Sequence, residues 1–336
     1  MLYNKRHIYL RSPMRLSFAG GGTDLESFYL QGESGHVVSS TIDLYNYVSI
    51  KDMFDSNVRV HHAEIETQSI TSRIKHPYSR TALEHFGIFK GAEVILTSDV
   101  MTTGSGLGAS SAMMSSLIMG CSLLRDKKLI SKHEHSELTY KLEEEAGTVG
   151  GRQDQYATVF GGFNSITFDK NKINVRKINI SKNNLKLLEE RMFLVFTNMA
   201  RENKIIQTNL GENSLNNEKI KYFVELKNLS FEFSKLLESD NFKLNDIGKL
   251  LHESWKLKKS INNYTTNPFI DQLYDALRKK GVTGGKVLGA GGGGFLLAFA
   301  GDAKLKEKIK YELYPNFIAL DVKFGIKGTE VLWKNF

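Results

Sequence analysis

The residues able to do chemistry gather in three glycine-rich segments and around one isolated acid. The stretch Gly104-Ser105-Gly106-Leu107-Gly108-Ala109-Ser110-Ser111 follows the apolar run Val94-Ile95-Leu96 and leads into small and apolar residues, Ala112 to Met119. A strand, a glycine turn and a helix start offer unpartnered backbone N–H groups at the positive end of a helix dipole. Glycines let a ligand approach that backbone closely, and the ligand such a site suits is phosphate. Ser110 or Ser111 offers a hydroxyl to Mg2+, with a carboxylate from Glu143-Glu144-Glu145 as its partner, a sparse oxygen set of the kind Mg2+ accepts. Asp154, between Gln153 and Gln155 in a second glycine-rich setting that starts at Gly147, is placed to accept the proton of an attacking hydroxyl. An earlier turn, Ala19-Gly20-Gly21-Gly22-Thr23-Asp24, turns Asp24 and exposed backbone towards a ligand, with Thr23 or Asp24 as the cap of a short helix. A late one runs from Gly284 to Gly294. Together these features suggest phosphoryl transfer, which needs alignment, charge neutralisation and Mg2+ more than covalent catalysis.

The elements that must hold these residues follow from periodicity and turn signals. Residues 7–18 read as a strand entering the first glycine turn, and 36–51 and 56–70 as strands of a mixed or antiparallel sheet. Helices are expected over 78–89, from the 104–111 loop to Arg125, and over 131–146, followed by a hairpin at 163–168 and 172–180. A polar tract at 181–190 precedes the apolar strand 192–197, and a domain boundary falls there, giving residues 1–185 and 186–336. The second part is more helical, with helices at 201–210, 216–239, 244–261, 268–280 and 302–312. A strand follows the last glycine segment, and strands at 317–323 and 329–334 close the chain.

Bulk properties narrow the class. The chain has 336 residues, 41% hydrophobic, enough for two cores. The net charge of +8 favours anionic ligands, but the basic residues are scattered, and no basic block with interleaved aromatics argues for nucleic acid. A single cysteine, Cys121, excludes a disulfide framework and a cysteine zinc site, and fits a reducing compartment. No signal-peptide pattern and no 18-residue apolar span is present, so a cytoplasmic enzyme that does not cross a membrane is expected. Gly104-x-Gly106-x-x-Ala109 and Gly289-x-Gly291-x-x-Gly294 loosely fit a dinucleotide fingerprint. The first lacks the following strand with its acid, and the second runs into a strand instead of a helix. No lysine occurs between 98 and 125, which excludes a Walker loop.

Taken in order, Ser12 to Asp24, Gly104 to Ala112 and Lys286 to Phe295 resemble the three motifs of the GHMP kinase superfamily. The Phe-x-Gly-Gly-Gly-Thr-Asp form at 18–24, Gly-Gly-x-Gln-Asp-Gln-Tyr at 150–156 and Gly-Gly-Lys-x-x-Gly-Ala-Gly-Gly-Gly-Gly-Phe at 284–295 are similar to the D-glycero-D-manno-heptose 7-phosphate kinase branch. The resemblance implies an α+β fold of two domains, ribosomal S5-like then ferredoxin-like. It implies ATP and Mg2+ as cofactors, a sugar phosphate as partner, and phosphorylation of an anomeric hydroxyl to supply nucleotide-activated heptose. Asp154 would be the catalytic acid/base and Arg15 the basic group near the transferred phosphoryl. The phosphate loop would be Gly104 to Ser111, with Ser110 and Glu143 on Mg2+. Gly21, Gly22, Thr23 and Asp24 would meet the sugar. Gly289 to Gly294, with Gly291 and Gly292 on the substrate side, would support the loop. The 7-phosphate requires cations, for which Arg201, Lys258, Lys259 and Lys286 are candidates. The alternatives are a fucose-type sugar 1-kinase, a non-catalytic nucleotide- or sugar-binding protein and, from the S5-like layout, an RNA-binding protein.

Overall fold

The computed structural model describes residues 6–100, 104–126, 131–148, 150–199, 217–240 and 243–336. The expected helix at 201–210 and the candidate Arg201 lie outside them. Two sheets organise the chain. The first half supplies β1 (His7–Ala19), α1 (Glu26–Tyr29), β2 (Gly35–Asp52), β3 (Val58–His61), β4 (Ile65–Gln68), α2 (Pro77–His85) and β5 (Ala92–Ser98). It continues with α3 (Ala109–Leu124), α4 (Lys132–Glu145), α5 (Gln153–Phe160), β6 (Phe163–Phe168), β7 (Ile173–Lys177) and α6 (Lys182–Glu189). The second half contains β8 (Met192–Phe196), α7 (Asn217–Glu238), α8 (Leu244–Ile261), α9 (Pro268–Lys279), β9 (Val282–Val287) and β10 (Phe295–Ala300). It ends with α10 (Ala303–Leu313), β11 (Ala319–Leu320) and β12 (Glu330–Asn335).

The first sheet runs β12-β1-β2-β5-β3-β4, with β6 joined to β2 and β7 to β6. All its pairings are antiparallel except β3 with β5. The long β2 hands its first half to β6 (Gly35 opposite Phe168) and its second half to β5 (Asp52 opposite Ala92). The second sheet, β11-β8-β10-β9, is antiparallel throughout. Residues 330–335, which follow the second sheet in the chain, pair with β1 of the first (His7 opposite Asn335). This return is a non-local pairing that no local pattern announces.

Both sheets share one core. Met14, Leu16 and Phe18 of β1 and Val38 of β2 pack with Leu194 of β8, Leu297 and Phe299 of β10 and Phe233 of α7. A second core joins α3 to β1, β2 and β5, and a third lies on the other face of the small sheet, under α9 and α10. Helix α3 is almost wholly buried, from Ala109 to Leu124. It lies so close to the sheet that a Cβ at Gly120 would stand 2.8 Å from Ile50 Cγ2 and 3.1 Å from Leu10 Cδ1. That packing fixes where the N-terminus of α3, and the glycine loop before it, must sit.

Candidate active site

Strand β1 brings the first site residue. Pro13 has no N–H to give to a ladder, and the register between β1 and β2 shifts between Pro13 and Arg15. The freed Arg15 backbone N–H donates to Leu107 O (2.8 Å), stitching β1 to the glycine loop. The Arg15 side chain, 3% exposed, then reaches Asp154 on the first turn of α5. Its Nε donates to Asp154 Oδ1 (2.6 Å), its Nη2 to Asp154 Oδ2 (2.6 Å), and its Nη1 to Gly106 O (2.6 Å). A two-point guanidinium–carboxylate contact fixes orientation as well as distance. Asp154 is therefore aimed, while its 23% exposed side chain still opens on a cavity.

The loop itself has left-handed backbone at Gly104 (φ 77°), Gly106 (φ 77°) and Gly108 (φ 69°). At Gly108, the N-cap of α3, a Cβ would stand 3.1 Å from Arg15 Cγ and 3.3 Å from Asp154 Oδ2. No side chain of the described residues caps the helix there, and its first residues, Ala109 to Ser111, line the cavity. The third glycine segment buttresses this loop. Phe295 N–H donates to Ser105 O (3.1 Å), and a Cβ at Gly294 would lie 2.4 Å from Gly104 O. Gly291 and Gly292 turn elsewhere, against Thr265, whose carbonyl accepts from Gly292 N–H (2.7 Å).

On one side of Asp154 lies Glu143 of α4, 2% exposed. Its Oε2 accepts from Ser111 Oγ (2.6 Å) and Gln155 Nε2 (2.6 Å). Its Oε1 is buried and has no donor within hydrogen-bond distance among the described residues, with the Ser110 hydroxyl near enough to the carboxylate to favour its charged form. Burial pushes its carboxyl up to about 7, against the Ser111 and Gln155 bonds and with a further push from the Asp154 charge. Ser110 stands beside Glu143 and the Tyr78 hydroxyl. A buried carboxylate oxygen without a donor, next to a serine hydroxyl and a helix N-terminus, fits a hard divalent cation.

On the other side lies Asp24, 2% exposed. It accepts from Gly22 N–H (2.8 Å), Gln153 N–H (3.1 Å) and Gln153 Nε2 (3.3 Å). Burial raises its pKa and the Asp154 charge adds to this, while the backbone donors oppose it. The carboxylate presses on Gly151, where a Cβ would stand 1.9 Å from Asp24 Oδ2. The expected capping role of Thr23 or Asp24 is not what the fold makes of them: α1 has no side-chain cap. Thr23 Oγ1 instead lies 2.8 Å from Gly20 O and 3.0 Å from His36 O and accepts from His36 N–H (2.9 Å), tying the turn to β2.

One cavity of about 1230 Å3 connects these groups. Arg15, Gly21, Gly22, Asp24, Gly104, Ser105, Gly106, Gly108, Ala109, Ser110, Ser111, Glu143 and Asp154 line it. Leu107, Thr23, Gly291, Gly292 and Lys286 do not. Lys286 is buried behind the wall, donating to Phe18 O (3.2 Å). Burial pushes its amine down to about 7, with the Arg15 charge adding and Asp24 opposing. Among the other candidate cations, Lys259 pairs with Asp271 (3.1 Å), whereas Lys258 lines the cavity with its Nζ on the Val287 (3.3 Å) and Gly289 carbonyls. Sequence reasoning gave no role to Gln155 or to His62, His76, Tyr78, Leu96 and Met113, which line the same cavity. Only the neighbourhood of Asp154 could have flagged Gln155.

Residues 74–162 match the family model of the GHMP kinases N terminal domain, and residues 235–318 match GHMP kinases C terminal. The D-glycero-alpha-D-manno-heptose 7-phosphate kinase of Campylobacter jejuni is 31% identical, over 96% of this chain and 98% of that protein. The chain belongs to the GHMP kinase family. It is thus a phosphotransferase acting on a hydroxyl acceptor, in a family that uses ATP. A bifunctional fucokinase/GDP-fucose pyrophosphorylase of Arabidopsis thaliana is 26% identical over 93% of the chain, which spans 32% of that longer protein. A crystal structure of a D-glycero-D-manno-heptose 1-phosphate kinase from Bacteroides thetaiotaomicron superposes with a TM-score of 0.78 at 22% identity, covering 99% of each chain. Its likeness supports the two-part GHMP fold. Among the described residues no helix is long and apolar enough to cross a membrane.

Proposed function

We propose that this GHMP kinase transfers the γ-phosphoryl group of ATP to the anomeric C1 hydroxyl of D-glycero-D-manno-heptose 7-phosphate, giving the 1,7-bisphosphate. The observation that carries the reading is Asp154, held at two points by Arg15 between the glycine loop and the Asp24 side of one cavity. The part formed by residues 1–185, with the final strand, would carry the nucleotide, and residues from 186 onward would complete the acceptor side. The triphosphate lies along Gly104 to Ser111, where uncapped N–H groups of α3 receive its charge. The base occupies the part of the cavity near Tyr78 and Leu96. Ser110 and Glu143 Oε1 hold Mg2+, which when bound neutralises charge on the phosphates.

The sugar lies against Gly21, Gly22 and Asp24, and Asp154 takes the proton of its C1 hydroxyl. An anomeric hydroxyl is more acidic than an ordinary alcohol. The transition state of phosphoryl transfer is loose, so orientation of the attacking oxygen by a fixed carboxylate contributes most. Arg15, which touches both Asp154 and Gly106 O, links the acid/base to the loop that aligns the phosphates. Lys258 is the described lysine on the cavity wall that suits the 7-phosphate, with Arg201 as a second candidate. The similarity to the Arabidopsis fucokinase keeps a fucose-type sugar 1-kinase as the alternative within the family. The test of Asp154 is Asp154→Asn, which preserves an acceptor for Arg15. It should lower kcat by about 10^2- to 10^4-fold, the usual worth of a positioned acid/base, and change KM little. Turnover near that of the wild type removes Asp154 from the mechanism.

A further inference from the structure

We infer that Gln155 is a positioning residue for Glu143 and thereby sets the affinity of the enzyme for its divalent cation. The inference rests on the cation role proposed for Glu143. Asp154 and Gln155 are neighbours on the first turn of α5, and successive residues of a helix diverge by about 100°. One therefore faces Arg15 and the other faces Glu143. Gln155 is 5% exposed, and its Nε2 donates to Glu143 Oε2 at 2.6 Å. Against the ionised carboxylate that a cation needs, the reverse amide orientation would set carbonyl oxygen on carboxylate oxygen, two acceptors with no proton between them.

Ser111 donates to the same oxygen, also at 2.6 Å. One donor fixes where Oε2 sits but leaves the carboxylate free to turn about it. Two donors from different elements, α3 and α5, fix its plane. Both act on Oε2, so Oε1 is left without a donor among the described residues. The arrangement is costly: Glu143 Oε1 and Gln155 Oε1 are both buried without a hydrogen-bond partner among the described residues. Most buried acceptors in folded proteins are satisfied, and here two unsatisfied ones stand side by side. A divalent cation at Oε1 supplies the missing partner and explains why the carboxylate is held with that oxygen bare. The same turn of α5 thus serves the acceptor side through Asp154 and the cation side through Gln155.

The test measures cation binding apart from turnover. Mn2+ binding to the full chain, with a non-hydrolysable ATP analogue present, is followed by electron paramagnetic resonance for wild type, Glu143→Gln, Gln155→Leu and Gln155→Asn. Loss of a partner that orients a metal ligand typically weakens metal binding by about 10- to 100-fold, and both Gln155 variants should show that loss. Binding of the analogue without metal should be unchanged. In Mg2+ titrations of activity, the half-saturating concentration should rise far more than kcat falls. Gln155→Asn retains a polar amide too short to reach Glu143 and serves if Gln155→Leu does not fold. Mn2+ binding within twofold of wild type in a folded Gln155 variant, with Glu143→Gln weakened, overturns the inference alone. Unweakened binding by Glu143→Gln overturns the cation assignment beneath it.

Discussion

The contact between Arg15 and Asp154 should be visible as a coupling energy, and its size follows from its surroundings. Asp154→Ala strips the guanidinium of two of its three acceptors among the described residues and leaves Gly106 O. Arg15 is 3% exposed and cannot recover them from bulk water. Removing one partner of a fully buried pair costs about 3–5 kcal/mol. The Asp154 side chain is 23% exposed, so water entering the vacated space reduces the expected cost to about 2–3 kcal/mol. Arg15→Met keeps much of the volume and leaves a carboxylate that water can reach, at a cost of about 1–2 kcal/mol. If the two changes were independent, the double variant would lose their sum. With the pair as described, Asp154→Ala in the Arg15→Met background should cost little, a coupling of at least about 1 kcal/mol. Urea unfolding followed by circular dichroism reads this, using midpoints at unchanged m-value. Additivity within about 0.3–0.5 kcal/mol would show that the pair contributes nothing in solution and would remove the basis for calling Asp154 oriented.

Two further predictions probe the acceptor side. Gly151→Ala places a Cβ 1.9 Å from Asp24 Oδ2, so it should raise KM for the sugar at least tenfold while leaving KM for ATP near that of the wild type. Equal loss for both substrates would contradict the assignment of Asp24 to the sugar. Lys286, with its amine pushed down from the ordinary 10.5 to about 7, binds fewer protons folded than unfolded between those values. Its destabilisation is therefore full below about pH 7 and is relieved as pH rises towards the ordinary value. Lys286→Met should accordingly gain more stability relative to wild type at pH 7 than at pH 9.5, read as the shift in urea midpoint. An equal gain at both pH values would contradict the buried placement.

The parts of the site that were legible in the sequence are those where chemistry restricts residue type. Only glycine fits a left-handed position pressed against other backbone, as at Gly106, where a Cβ would lie 2.6 Å from Leu288 O. The glycine segments therefore mark themselves, as does Asp154 among glycines and glutamines. What was hidden depends on packing. Helix α5 is eight residues long and follows a glycine run, so periodicity had too few turns to register, and Gln155 carried no role of its own beside the acid. The polar tract at 181–190, where a domain boundary is expected, forms α6, which Ser181 caps and Leu188 anchors by its burial. Lys286 carries no local sign of burial. It lies on β9 after two glycines that admit close neighbours, with Gly284 against Gly248 and Gly285 against Leu297 O, and the sheet closes over it. His135 carries no local sign of burial either, yet it is 3% exposed, with Nε2 on Ser115 Oγ (3.1 Å) and Ser115 O (3.0 Å). The return of β12 to β1 could be seen only once both strands were in place.

The central claim is the reaction and the atom that receives the phosphate. ATP turnover by the full chain should be measured against a panel of free and phosphorylated sugars, including D-glycero-D-manno-heptose 7-phosphate, the unphosphorylated heptose, fucose and galactose. Phosphorus and proton NMR of the product then assigns the new phosphate. The account predicts the highest kcat/KM for the heptose 7-phosphate, with the new phosphorus coupled to the anomeric proton. A phosphate on any other carbon, or a free sugar preferred over the heptose 7-phosphate, would contradict it.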